Sequence, residues 1–264
     1  MTARAFCLVI LAISTLRGQG PPDYGVFALP DSTGTHLLAP ADLPSPAEFH
    51  TAICPSGQSY PVQFERRQTG GPDYNGRQTA ANFDKLPGNV FSILRGKVAS
   101  DATCLLAGAT LLPSTTPIPV ARLAPASQCG AKVRLRISTS RTRRVANCWP
   151  LATLPAGKEL MLVEFARQDQ DALASIVLID GDRSVFADYP AVYHGDSLDL
   201  WRVDDGGVLD PASIHILALL QRDASYMLAV SWSGTEGENL NLFVSNGDNR
   251  FTSVVQDYWY RAPL

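Results

Sequence analysis

The sequence predicts an antiparallel all-β protein, a sandwich or barrel with a proline-rich N-terminal lead-in. The first observation is a succession of β-rich runs between Gly157 and Tyr260: 159–165, 173–179, 183–186, 198–203, 214–220, 226–232, 240–244 and 251–255. The second is what separates them. Asp180-Gly181, Asp205-Gly206-Gly207, Ser233-Gly234 and Asn246-Gly247 are turn formers, and runs punctuated this way read as antiparallel strands. The third is composition: 45% of the 264 residues are apolar, enough for a sizeable core, while 19 prolines and 20 glycines favour turns over helices.

From the N-terminus, residues 1–20 read as a secretory signal. Arg4 supplies a positive start and Phe6 to Ile13 an apolar run too short to span a bilayer. Small residues at Ala12 and Ser14 permit cleavage after Ser14. Residues 21–59 hold many prolines, which lack the N–H a strand ladder needs. They read as an extended lead-in, with one short strand at 25–29 and at most a helical turn within 42–49.

The body runs from 60 to 264. Tyr60 to Arg67 alternates apolar and polar residues, the pattern of a half-buried strand. Residues 68–87 are polar and glycine-rich and read as a long loop. Residues 89–99 and 103–112 read as two further strands. Residues 113–128 carry four prolines and several serines and threonines. That composition suits a linker or a strap across a sheet, and it marks the one candidate domain boundary. Val133, Leu135 and Ile137 alternate with Lys132, Arg134 and Arg136, and Arg143-Arg144-Val145-Ala146 follows, so 132–146 reads as a hairpin with a basic outer face. Asp210-Pro211 would start a helix well, but a turn at 221–225 and a following strand of matching length favour a strand over 214–220.

Cys54, Cys104, Cys129 and Cys148 lie beyond the signal segment, an even number that implies two disulfides in an exported chain. Three pairings exist; Cys54–Cys104 with Cys129–Cys148 is favoured, because the second pair flanks the expected hairpin. No Cys-x-x-Cys is present, so a zinc module is not expected. The absence of any Asn-x-Ser/Thr sequon favours a bacterial envelope, so the expected location is periplasmic or extracellular.

Two clusters are candidate binding sites. Arg134, Arg136, Arg141, Arg143 and Arg144 form the densest charge feature and suit an acidic polymer or an acidic protein partner. Trp201, Arg202, Asp204, Asp205, Trp259 and Tyr260 combine aromatic faces with charged groups, as stacking on sugar rings requires. Alternation puts Trp201 on the same side as Val203, and Trp232 with Leu228 and Val230, which argues instead for a place in the core for both. Asp and Asn in the turns are ordinary turn formers and complete no calcium-loop spacing, so no metal is expected.

Catalytic signals are sparse. His194, beside Asp196, is the one histidine on an expected loop with a carboxylate close by, and it is a weak candidate general base. No Gly-x-Ser-x-Gly, His-Glu-x-x-His or phosphate-binding glycine loop occurs, so no cofactor is expected. A net charge of −3 argues against nucleic acid as a partner, and no membrane span is expected. The leading expectation is an exported, non-catalytic binding or envelope-associated β module, with a glycan or a protein as its partner. The alternatives are a secreted hydrolase acting on a polysaccharide or similar polymer, and an interaction or inhibitor subunit that docks through the basic hairpin.

Overall fold

The structure is a computed structural model that describes residues 24–108, 115–124, 128–195, 200–202, 205–245 and 247–261. It is mostly β, and its strands pair antiparallel. The expected signal segment and Asp204 lie outside the described residues.

The first strands close on themselves. Strands β1 (Val26–Pro30), β2 (His36–Ala39), β3 (Phe49–Cys54), β4 (Gln58–Gln68), β5 (Gly88–Ile93) and β6 (Cys104–Gly108) form a barrel in the order β1-β2-β5-β4-β3-β6. Leu37, Phe49, Phe91 and Leu106 fill its interior. The expected lead-in therefore holds three barrel strands. Pro30 ends β1, Pro40 follows β2 and Pro55 follows β3, so these prolines stand where a ladder stops and cost no interior hydrogen bond. Gly34 turns β1 into β2 at φ +69, and a Cβ there would meet the Val98 carbonyl oxygen at 1.9 Å.

Two five-stranded sheets follow. Sheet one runs β12-β11-β10-β9-β8, from β8 (Ala121–Arg122), β9 (Val145–Thr153), β10 (Glu159–Phe165), β11 (Asp171–Asp180) and β12 (Arg183–Val192). Sheet two runs β16-β15-β14-β13-β7, from β7 (Thr116–Pro117), β13 (Ile214–Arg222), β14 (Ser225–Ser233), β15 (Gly237–Ser245) and β16 (Phe251–Tyr260). The proline-rich segment is a strap. Its β7 pairs with β13 of one sheet and its β8 with β9 of the other.

The layers stack as barrel, sheet two, sheet one and a helix. Ile176, Leu178 and Val185 of sheet one meet Leu228, Val230 and Phe243 of sheet two in the sandwich core. The other face of sheet two, with Leu217, Leu220, Met227 and Leu242, packs on Phe27, Leu29, Ile53 and Leu105 of the barrel. Because sheet two is covered on both sides, β13 and β14 read as nearly continuous apolar runs. At one end of the sandwich Lys158 Nζ donates to Tyr226 Oη at 2.7 Å, and Tyr226 Oη donates to Asp180 Oδ2 at 2.5 Å, which ties the two sheets together.

The expected basic hairpin is instead helix α1 (Ala131–Arg141). The alternation of 132–138 imitates a strand. However, Ala, Lys, Leu and Arg are strong helix formers, and Val133 and Ile137 share a helical face at i, i+4. Ile137 is fully buried on sheet one's outer face, while Leu135, on the opposite side of the helix, is 69% exposed. Thr142 in the left-handed region ends the helix. The disulfides are Cys54–Cys104, which joins the neighbouring strands β3 and β6, and Cys129–Cys148, which ties the helix entrance to β9. That is the expected pairing, and two disulfides fit an oxidising environment. Among the described residues no helix is long and apolar enough to cross a membrane.

Candidate functional site

An opening runs along the side of the sandwich where the edge strands β12 of sheet one and β16 of sheet two face each other, and it reaches across to β15. Successive side chains of a strand face opposite ways. On β15, Leu240 and Leu242 therefore go to the barrel while Asn239, Asn241 and Phe243 face sheet one. Register sets Tyr258 beside Asn239 and Gln256 beside Asn241 on β16. The result is a patch of amides next to an aromatic cluster. Tyr189 meets Trp232 edge-on with ring centres 5.0 Å apart and Phe243 at 5.8 Å, and Trp201 lies 6.4 Å from Trp232.

The Trp201 loop is shaped by one carboxylate. Asp205 accepts hydrogen bonds from the backbone N–H groups of Leu200, Trp201, Arg202 and Gly207 at 2.6–3.2 Å. Burial alone would raise its pKa, but these four amides outweigh burial and hold the carboxyl below the ordinary aspartate range. Trp201 Nε1 then donates to the Tyr189 carbonyl at 2.9 Å, which fixes the indole at the rim. Arg202 donates to the Ser233 carbonyl and lies over the Trp232 ring at 5.6 Å.

The cleft has a volume of about 660 Å³, and a second hollow of about 330 Å³ adjoins it. Trp201 and Asn239 line both, so they form a sill between two neighbouring compartments. Among the described residues the side chains of Asn239, Gln256 and Arg250 make no hydrogen bond within the protein, and all three are exposed at the cleft. The two lining carboxylates are already engaged. Asp188 accepts from Arg141 and Ser175, and Asp257 from Trp259 Nε1. Burial pushes the Tyr189 hydroxyl above the ordinary tyrosine range. Neither that hydroxyl nor Trp232 Nε1 has a partner among the described residues.

The sequence-predicted residues fall in several places. Trp201 and Arg202 are at the cleft, with Arg202 on the second hollow. Asp205 builds the loop. Trp259 is buried between sheet two and the barrel, and the Tyr260 backbone bonds Gln78, so in Tyr258-Trp259-Tyr260 it is Tyr258 that reaches the second hollow. Of the arginines, Arg134 donates to the carbonyls of Val145 and Ala146, Arg136 to that of Arg183, and Arg143 to those of Ala166 and Asp171. Arg141 pairs with Asp188, and Arg144 is exposed. These guanidinium groups are largely spent on the fold. His194 is exposed just beyond β12, without a hydrogen-bond partner among the described residues.

Tyr189, Asn239, Asn241 and Gln256 did not stand out in the sequence, whereas Tyr258 belongs to the aromatic run at the tail. The available signal was polar residues at alternate positions of an otherwise apolar strand, Asn239-Leu240-Asn241-Leu242. Comparison of the chain with protein-family models, with curated proteins and with solved structures returns no match.

Proposed function

We propose that this protein is an exported, non-catalytic binding module, periplasmic or extracellular, whose site is the Trp201–Asn239 cleft and whose ligand is a glycan. The observation that carries this reading is the set of uncommitted amides, Asn239 and Gln256, beside the partly buried Trp201 and the 49% exposed Tyr258. Ring faces suit the apolar faces of sugars, and free amides both donate to and accept from hydroxyls. Two compartments divided by the Trp201 and Asn239 sill suit neighbouring units of an oligomer. Asp188 and Asp257 in the cleft are held by protein partners, which supports binding over hydrolysis there; Glu236, exposed at the second hollow, is the carboxylate on which a hydrolase reading would rest.

The test is a thermal-shift screen of the oxidised protein with soluble oligosaccharides, repeated on Trp201→Ala and Asn239→Ala. A ligand at a hundred times its Kd stabilises the native state by about 2.7 kcal/mol, a readily measured shift. A shift with one glycan class that both variants remove supports the proposal. No shift with any oligosaccharide, or a shift that both variants retain, overturns it.

A further inference from the structure

A second cavity of about 390 Å³ lies where the barrel, the strap and sheet two meet, and it shares no lining residue with the cleft or its neighbouring hollow. Three of its lining side chains are polar and more than nine-tenths buried: Ser231 at 2% exposure, Thr103 at 3% and Glu238 at 8%. Glu238 is fully engaged. Thr103 Oγ1 donates to its Oε1 at 2.9 Å, Arg261 Nε lies 2.8 Å from its Oε2, and Arg261 also donates to Thr103 Oγ1 at 3.2 Å.

The remaining groups differ in kind. His215 and Ser231 are directly paired across β13 and β14, so their side chains stand next to each other on the face toward the cavity. Neither side chain makes a hydrogen bond within the protein among the described residues. Arg122 is braced by one terminal nitrogen against the carbonyls of Ala212 and Ile214, at 3.5 and 3.2 Å, which leaves its other N–H groups uncommitted. The cavity thus offers free donors, and its one buried carboxylate is neutralised. Ser231 Oγ opens on the cavity with no protein partner among the described residues, so it stands ready to donate to a ligand there.

We infer that this cavity is a second binding site, for a small carboxylate anion held by the Arg122 guanidinium and the Ser231 hydroxyl, with His215 beside it. A carboxylate oxygen accepts well from the Arg122 N–H groups that the two carbonyls leave free, and the volume admits a small organic acid. The charged groups around His215 are Arg122 on β8, Glu238 on β15, Arg261 beyond β16 and Asp101 ahead of β6. Burial first, and the Arg122 charge second, hold His215 below the ordinary histidine range, while Glu238 opposes them. A bound carboxylate offsets the Arg122 charge and lets His215 take up a proton. Binding therefore strengthens as pH falls.

The experiment titrates the full oxidised chain with acetate, lactate and succinate, and with acetamide as the uncharged counterpart. The His215 ring and Ser231 amide resonances are followed at about pH 5.5 and about pH 7.5, either side of the ordinary histidine value. The expected result is saturable shifts with a carboxylate and none with acetamide. Affinity should be about tenfold higher at the lower pH, the equivalent of one pKa unit of linkage. Arg122→Met, which keeps the apolar stem, should abolish the shifts. Ser231→Ala, which leaves the strap untouched, should weaken them in a chain whose other resonances are unmoved. Equal shifts with acetamide, no shift with any carboxylate, or unchanged binding in both variants overturns the assignment.

Discussion

Replacing Asp205 with asparagine should release the loop that carries Trp201, and the size of the effect follows from its bonds. The carboxylate receives four backbone N–H groups, from Leu200, Trp201, Arg202 and Gly207. A hydrogen bond to a charged acceptor contributes about 1.5–3 kcal/mol. Asparagine keeps one acceptor oxygen and turns an NH₂ group toward the other donors, so about two bonds are lost and water replaces part of them. The net cost is about 3 kcal/mol. In a chain of this size that lowers the melting temperature by about 6–12 °C. Hydrogen exchange gives the local readout, with protection of the Trp201 and Arg202 amides falling by about two orders of magnitude. The pH dependence has a definite sign. The folded carboxyl has a lowered pKa, so the unfolded chain binds its proton first as pH falls. The stabilisation is complete above the unfolded value of about 4 and is lost as pH falls through the folded value. The gap between the parent protein and Asp205→Asn should therefore close in acid. Unchanged exchange at Trp201 and Arg202, or a gap that does not narrow at all as pH falls below about 4, would refute the reasoning.

Other outcomes follow from the same structure. Replacing Cys129 and Cys148 together with serine opens a loop of sequence separation 19 and should cost about 3 kcal/mol in oxidising denaturant titrations, with the difference vanishing under reducing conditions. Tyr189→Phe removes a buried hydroxyl that has no partner, so it should be neutral or stabilising by up to about 1 kcal/mol; a larger loss in thermal unfolding would show that the hydroxyl is satisfied. His215 has a lowered pKa in the fold, so its contribution is complete above the unfolded histidine value of about 6.5 and is lost as pH falls through the folded value. His215→Gln should flatten that part of the stability profile, and an unchanged profile would exclude His215 as its source.

The sequence exposed the antiparallel strands of sheet two because their apolar runs are bounded by turn formers, as at Asp205-Gly206-Gly207 and Asn246-Gly247. It exposed the disulfide pairing because Cys129 and Cys148 are close along the chain. It hid the barrel because prolines read as strand breakers, yet Pro30, Pro40 and Pro55 sit at strand ends, a matter of register that spacing does not reveal. It hid α1 because alternation over 132–138 outweighed helix propensity; only packing on sheet one decides which face of that segment is buried. Trp201 drew attention as an aromatic beside turn carboxylates, although its alternation with Val203 pointed to the core. Tyr189 and Gln256 did not, since they join Trp201 only after β12 and β16 are brought together across the sandwich. The tail aromatics show the same limit. Alternation assigns Trp259 and its neighbours to opposite faces, but which face is the core depends on the barrel that covers sheet two.

That covering also explains why the cleft stands open. Sheet two is dry on its barrel face along most of β13, β14 and β15, and dry on its other face wherever sheet one overlies it. At the β15–β16 corner the face toward sheet one changes from Phe243 to Asn241 and Asn239 within a single strand. An apolar residue at those positions would be exposed, and an amide covered by sheet one would lose its water without a partner. The polar pattern thus records a surface that remains in water when the sandwich is assembled. The rim next to it is fixed rather than mobile, because Asp205 and the Tyr189 carbonyl hold Trp201 from two sides. A ligand entering this cleft meets the Trp201 ring already in place, so the ordering that opposes binding falls on the free amides of Asn239 and Gln256. Mutations that loosen the Trp201 loop should accordingly weaken binding even where every ligand-contacting side chain is retained.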